Sequence, residues 1–364
     1  MAADTNTRDH ASGGAATTEA TRSGRQGLLR SFAHRLAGED PMLPDEGPLA
    51  PFEGATSWLN SEALTPESLR GRVVLVDFWT YTCINWLRTL PYVRAWDAKY
   101  RELGLTVVGV HTPEFGFERT VDNIVKQSAV FGVEYPIAVD SEYGVWRAFA
   151  NHFWPAVYIA DGAGRIRYHH FGEGEYAMQE MVIQELLVDA GADGVQRDLV
   201  DVDPQGLELA ADYGTLRSPE SYLGYLQAAG FASDGDAEYD RPRAYTAHQR
   251  LPLNHWDLSG QWTYGRHASI LAEPGGRVAF QFQARDVNLV MGPATPGSAI
   301  PFRVYLDGQV AADAHGTDVA SDGTGVLADQ RTYQLIRQSG PITERRFEIE
   351  FLEAGAEAYC FTFG

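Results

Sequence analysis

The stretch Val76 to Trp86, VDFWTYTCINW, decides the fold. Its apolar half extends back to Val73 and reads as a buried strand, and at Cys83 the pattern turns helical. Asp77 sits inside the apolar run. Burying a carboxylate there is costly, so Asp77 is a candidate for proton transfer, the alternative being a structural acid satisfied by hydrogen bonds. Cys83 falls where strand becomes helix, where unpaired backbone N–H groups and the helix dipole favour thiolate over thiol. Pro91 then lies inside the helix, a position that costs about 3 kcal/mol unless a kink is wanted. A strand, a nucleophilic thiol at a helix start and a kinked helix together describe a thiol-chemistry site.

Length and composition bound the rest. At 364 residues, with 44% hydrophobic and 12% aromatic residues, the chain has material for two domains and real cores. A net charge of −20 argues against nucleic acid and anionic membrane surfaces as partners. Two cysteines make no disulfide scaffold, and no set of four Cys and His ligands suggests zinc, so neither a metal nor a cofactor is expected. No signal-peptide h-region opens the sequence and no run of about 18 apolar residues occurs in it. The expected address is the cytoplasm, without a transmembrane segment.

Along the chain, residues 1–45 read as a disordered tail with a short amphipathic helix between Gln26 and Leu36, able either to pack on the domain or to dock on a surface. Residues 46–191 read as α/β: a helical turn at Thr65-Pro66-Glu67-Ser68, strands at 73–79, 105–110 and 135–139, helices at 118–131 and 141–152, a hairpin of 157–159 with 166–171, and a helix from Tyr176 to about Ala190. Residues 192–250 read as a linker with one short helix begun by Ser218-Pro219-Glu220. In 251–364, Val278, Phe280, Phe282 and Phe347, Ile349, Phe351 alternate by two, with turns such as Asp307-Gly308 between runs. That pattern predicts an all-β sandwich or jelly roll.

The spacings around Cys83 resemble those of thioredoxin, whose redox motif is CxxC; here it reads Cys83-Ile84-Asn85-Trp86. From about residue 50 to the end, the chain is similar to the soluble portion of DipZ-type (TlpA/AhpC-like) proteins, which join a thioredoxin-like domain to a carbohydrate-module-like β-sandwich. The strings that carry the match are FWTYTCIN (78–85), GVHTPEFGFE (109–118), WPA (154–156), FGEGEY (171–176), ARDVNLVMGP (284–293) and FTFG (361–364). This resemblance implies that Pro155 is cis and aligns an extended substrate beside Cys83. It also implies substrate contacts at Trp86, Trp154, Glu114, Tyr81 and Asn85. Family members often face the extracytoplasmic side.

Two departures stand out. Trp86 replaces the resolving cysteine of the family's C-I-N-C, and Cys360 occupies a position where the family usually has another residue. A single-cysteine site can form a mixed disulfide or a sulfenic acid, and release then needs an external thiol reductant. The expected function is a thioredoxin-like thiol-disulfide oxidoreductase in which Cys83 attacks a protein or low-molecular-weight disulfide. One alternative is a one-cysteine peroxidase: Thr80 supplies half of that motif, but Val76 stands where it needs proline. The other is a non-catalytic binding protein recognising a polypeptide or glycan.

For His111 a structural hydrogen bond is the expectation. His169 and His170 point to opposite faces of a strand and cannot share a metal. Trp256, Trp262 and Tyr264 form either sandwich core or a sugar-stacking platform. Cys360 should face away from Tyr359 and Phe361 as a half-buried thiol, the sharper hypothesis being that it resolves Cys83.

Overall fold

A computed structural model describes residues 43–233 and 238–364. The tail and amphipathic helix expected before residue 43 lie outside the described residues. Two compact units divide the chain: one from Met1–Phe78, Trp96–Val110 and Tyr135–Val200, the other from Trp79–Ala95, His111–Glu134 and Asp201–Gly364.

The first unit is organised by β2, Val73–Trp79, every residue of which is buried. Val74, Val76 and Phe78 point into one core with Val108, Val110, Tyr158 and Ala160, as the period of two requires. Among the described residues, six strands form a mixed sheet in the order β1-β4-β3-β2-β5-β6. Its other strands are β1 (Ser57–Leu59), β3 (Leu105–His111), β4 (Ile137–Val139), β5 (Ala156–Ala160) and β6 (Ile166–Phe171). Helix α1 (Ile84–Tyr100) follows β2 and contains Pro91. Helices α3 (Gly144–Ala148) and α4 (Tyr176–Asp189) follow in the same unit, while α2 (Val121–Val130), between β3 and β4 in the chain, belongs to the second. The end of α1 is tied to α4 by buried Glu180, which accepts hydrogen bonds from Trp96 Nε1 (3.2 Å), Lys99 Nζ (3.2 Å) and Tyr100 Oη (2.6 Å).

Three local readings need shortening, each for a backbone reason. The strand expected from residue 135 begins at Ile137, because Pro136 has no N–H to give a ladder. Residues 116–119 form a separate 3₁₀ turn and Thr120 is extended, so α2 starts at Val121. The helix read over 141–152 is only α3, bounded by Tyr143 (φ 58°) and Ala150 (φ 49°), both left-handed. At its first residue, Gly144, a Cβ would come within 2.7 Å of Gly54 Cα, so only glycine fits there.

In the second unit, twelve strands among the described residues form one antiparallel sheet. They are β7 (Ser221–Tyr222), β8 (Arg243–Tyr245), β9 (Trp256–Tyr264), β10 (Ser269–Leu271), β11 (Arg277–Phe282), β12 (Asp286–Pro293), β13 (Ile300–Leu306), β14 (Gln309–Val310), β15 (Thr324–Leu327), β16 (Arg331–Arg337), β17 (Arg345–Phe351) and β18 (Ala356–Phe363). The main path runs β14-β13-β17-β11-β9-β10-β18-β12-β16. The sheet folds over on itself: Phe280 of β11 packs on Phe361 and Phe363 of β18, each at 5.1 Å between ring centres. The result is the expected β-sandwich. Asp307 (φ 51°) and Gly308 (φ 75°) make the tight turn between β13 and β14.

The sheet reaches back into the stretch read as linker, through β7 and β8. No helix starts at Ser218-Pro219-Glu220, contrary to expectation. Ser218 Oγ instead accepts from the Gln283 backbone (2.9 Å), and Ser221–Tyr222 pairs with Cys360–Phe361 of β18. Trp256, Trp262 and Tyr264 are buried at 0%, 0% and 2% exposure, which makes them core and removes the sugar-stacking platform. Among the described residues, no helix is long and apolar enough to cross a membrane.

Candidate functional site

Cys83 closes the turn that follows β2. Its N–H donates to Thr80 O (3.2 Å) and its carbonyl accepts from Leu87 N (3.0 Å), which makes it the residue at the mouth of α1. The thiol is half-buried. The backbone N–H groups of Asn85 and Trp86 bear on its sulfur and favour the thiolate. Stronger effects oppose them. Burial first, then the negative charges of Glu114 and Glu220, push the Cys83 thiol well above its ordinary range. The expectation of a thiol acidified by the helix start is thereby corrected: two N–H groups are outweighed by desolvation and two carboxylates.

The loop after β3 supplies the acids. Glu118, fully buried, accepts from Thr82 Oγ1 (2.6 Å), Glu114 N (2.6 Å) and Phe115 N (2.8 Å), and so ties the turn before Cys83 to the loop that carries Glu114. Thr332 Oγ1 of β16 donates to Thr82 O (2.8 Å) from the sandwich side. Half-buried Glu114 contacts Tyr222 Oη through Oε1, and exposed Glu220 lies 3.2 Å from the same hydroxyl. One phenol carries one proton, so it donates to one of the two carboxyls at a time. Burial, then the charges of Glu220 and Glu118, push Glu114 well above the usual carboxylate range.

Other residues expected to touch substrate are placed differently. Trp86 has 0% exposure and stacks on Trp79 at 4.2 Å and 21°, with Phe131 edge-on at 6.0 Å. It is a core residue and presents no surface to a ligand. Tyr81 is also buried, stacked on His111 at 5.6 Å, so it too is removed from the contact set. Asn85 is half-buried. Trp154 is half-buried against Trp146 (4.3 Å), and the Trp154–Pro155 bond is cis, as the resemblance implied. Asp77 is fully buried in β2, opposite Val157.

Among the described residues, neither ring nitrogen of His111 finds a hydrogen-bond partner outside its own residue, and burial lowers its pKa to about 3. Aromatic packing against Trp79 and Tyr81 holds the neutral ring instead. His169 is exposed and bonded to Glu46 through Nδ1 (2.7 Å), whereas His170 is buried, as the alternation required. No group of three or more His, Cys, Asp or Glu among the described residues could hold a metal ion.

Glu118, Glu220 and Tyr222 were missed from sequence. Glu118 closes the string GVHTPEFGFE and was within reach of a motif argument. Glu220 and Tyr222 carry no local signal, because only the pairing of β7 with β18 brings them to the site.

Comparison with known proteins agrees with this anatomy. Residues 218–364 match the family model described as Thioredoxin like C-terminal domain. Protein DipZ of Mycobacterium bovis is 35% identical over 252 residues, covering 66% of this chain and 34% of its own, and DipZ of Mycobacterium tuberculosis gives the same figures. The chain thus spans about a third of the length of these relatives. Thiol-disulfide oxidoreductase YkuV of Bacillus subtilis is 28% identical over 142 residues, 39% of this chain and 95% of its own. The resemblance carried by FWTYTCIN and its companion strings holds: the chain is a thioredoxin-fold homologue of the DipZ proteins, and its C-terminal β-sandwich lies within the stretch matched by the family model.

Proposed function

We propose that this chain is a thiol-disulfide oxidoreductase in which Cys83 attacks a disulfide of a protein or small thiol. The observation that carries the reading is the placement of Cys83: half-buried, immediately before the first residue of α1, with the N–H groups of Asn85 and Trp86 on its sulfur. The name of the YkuV relative supports the same chemistry. Asp77, buried in β2, would move the proton, and Pro155, at its cis bond, would align the substrate backbone. An external dithiol returns the protein to its reduced form. A cytoplasmic address fits such a supply of reductant.

The test is reduction of a small disulfide with dithiothreitol as terminal reductant. Cys83→Ser should abolish the protein-dependent rate, and a rate that survives in that variant refutes the reading. The peroxidase alternative gains no observation, since Thr80 is fully buried.

The acids around Cys83 give a second expected result. Because burial, Glu114 and Glu220 penalise the thiolate, the rate of alkylation by iodoacetamide should still be climbing above pH 8.5, roughly the free-thiol midpoint. Glu114→Gln removes one of the opposing charges and should move the midpoint down. A wild-type midpoint at or below that of a free thiol would show that the helix N-terminus wins after all.

A further inference from the structure

Cys360 lies on β18, where strict alternation would turn it away from Tyr359. The pairing with β12 prevents this: Val290 faces Cys360 and the next residue, Met291, faces Ala358, which leaves Tyr359 as an extra, bulged residue. A β-bulge places two successive residues against one partner and re-aims the side chains beside it. Core packing confirms the change of side. Ala356, Ala358, Phe361 and Phe363 belong to the sandwich core, whereas Tyr359 and Cys360 do not.

Instead, Tyr359 packs on Phe115 (5.3 Å) and Phe117 (4.9 Å) of the loop that carries Glu114 and Glu118. Cys360 pairs directly with Tyr222, and opposite residues of an antiparallel pair share a face. The Tyr222 hydroxyl is the group bonded to Glu114 and Glu220. The same two carboxylates act on both thiols, and a charge on Cys83 bears on Cys360. At 1% exposure Cys360 is shielded from reagents in solution, and its Sγ–H is held by Phe361 O at 3.4 Å. The expectation of a half-buried thiol facing away from Tyr359 is thus corrected: Cys360 is buried and shares the side of Tyr359, while it does face away from Phe361.

We propose that Cys360, supplied by the last strand of the sandwich, is the resolving thiol that replaces the cysteine missing at position 86. This rests on Cys83 being the attacking nucleophile. In the first step, Cys83 thiolate attacks a disulfide RS–SR, forming the Cys83–SR mixed disulfide and releasing RS⁻, which takes up a proton. In the second, Cys360 loses its proton to the Glu114–Tyr222–Glu220 group, and its thiolate attacks Cys83 Sγ. The Cys83–SR bond breaks and the second RS⁻ leaves with a proton. RS–SR gains two electrons to become two RSH, and the protein dithiol loses two to become the Cys83–Cys360 disulfide. The external dithiol then reduces this bond. A resolving thiol with a raised pKa stays protonated and unreactive until the mixed disulfide has formed, when its strong intrinsic nucleophilicity is useful.

The experiment treats the native full chain with dithiobis(nitrobenzoate), following released thionitrobenzoate by absorbance and the protein by intact mass and non-reducing peptide mapping. The expected wild-type result is release of two equivalents, a chain without adduct, and a peptide joining Cys83 to Cys360. Cys360→Ser and Cys360→Ala should each release one equivalent and keep a stable adduct on Cys83. A wild-type chain that retains the adduct on Cys83, or that carries one adduct on each cysteine, overturns the proposal while leaving Cys83 as nucleophile. Absence of any adduct or release in the wild type instead refutes the nucleophile itself. The wild-type mapping stands alone if either variant fails to fold.

Discussion

Trp86→Cys, which rewrites the motif as CxxC, should destabilise the protein by about 3–5 kcal/mol, the range for truncating a buried large aromatic. Trp86 is fully buried, stacked on Trp79 and met edge-on by Phe131, so the cysteine would leave a cavity lined by those rings. A thiol there would also lose the dispersion contacts of an entire indole. Restoring the motif therefore requires repacking Trp79 and Phe131 as well. Urea unfolding measures this directly, as a lower midpoint with an unchanged slope. A loss below about 1 kcal/mol would mean that the position is built to accept a small side chain.

Glu118→Ala should cost about 3 kcal/mol or more. The carboxylate serves Thr82 Oγ1, Glu114 N and Phe115 N, and each donor left unsatisfied and buried costs about 1–3 kcal/mol. The pH dependence has a definite sign. Burial raises Glu118 above its ordinary value of 4.5, so the folded state binds its proton more tightly than the unfolded chain does. Its contribution is complete below that ordinary value and declines as pH rises through the raised one. Glu118→Gln cannot titrate, and its unfolding free energy should lack this decline. Parallel pH profiles for wild type and Glu118→Gln would contradict the assignment. The same variant should loosen the turn before Cys83, which alkylation kinetics would register as faster reaction at fixed pH.

What could be read from residues alone was mostly local. The run Val73–Trp79, the helix opening after Cys83 and the alternation in Val278, Phe280 and Phe282 are short-range patterns, and each became the element it suggested. The helix over 141–152 failed because left-handed residues at its ends are invisible to periodicity. Trp86 was misjudged because a residue beside a reactive cysteine reads as exposed, whereas the first turn of α1 points it at Trp79. Tyr222 and Glu220 could not be foreseen, since strand pairing across more than a hundred residues assigns them to the site. A bulge likewise leaves no trace in composition, yet the one at Tyr359 decides which way Cys360 faces.

The order of synthesis gives the hydrogen bond from Thr332 to Thr82 a further meaning. The turn that carries Cys83 leaves the ribosome early, while the hydroxyl that satisfies its carbonyl arrives 250 residues later. Arg88 waits longer still, for the carbonyl of Phe363. Domains emerging from the ribosome generally fold as units, from the N-terminal end first. Here the segments Trp79–Ala95 and His111–Glu134 belong to a unit completed only by the last strand. The nascent chain therefore holds its nucleophile in an unfinished setting until β18 has emerged, and full packing around the thiol is reserved for molecules in which that strand has been made.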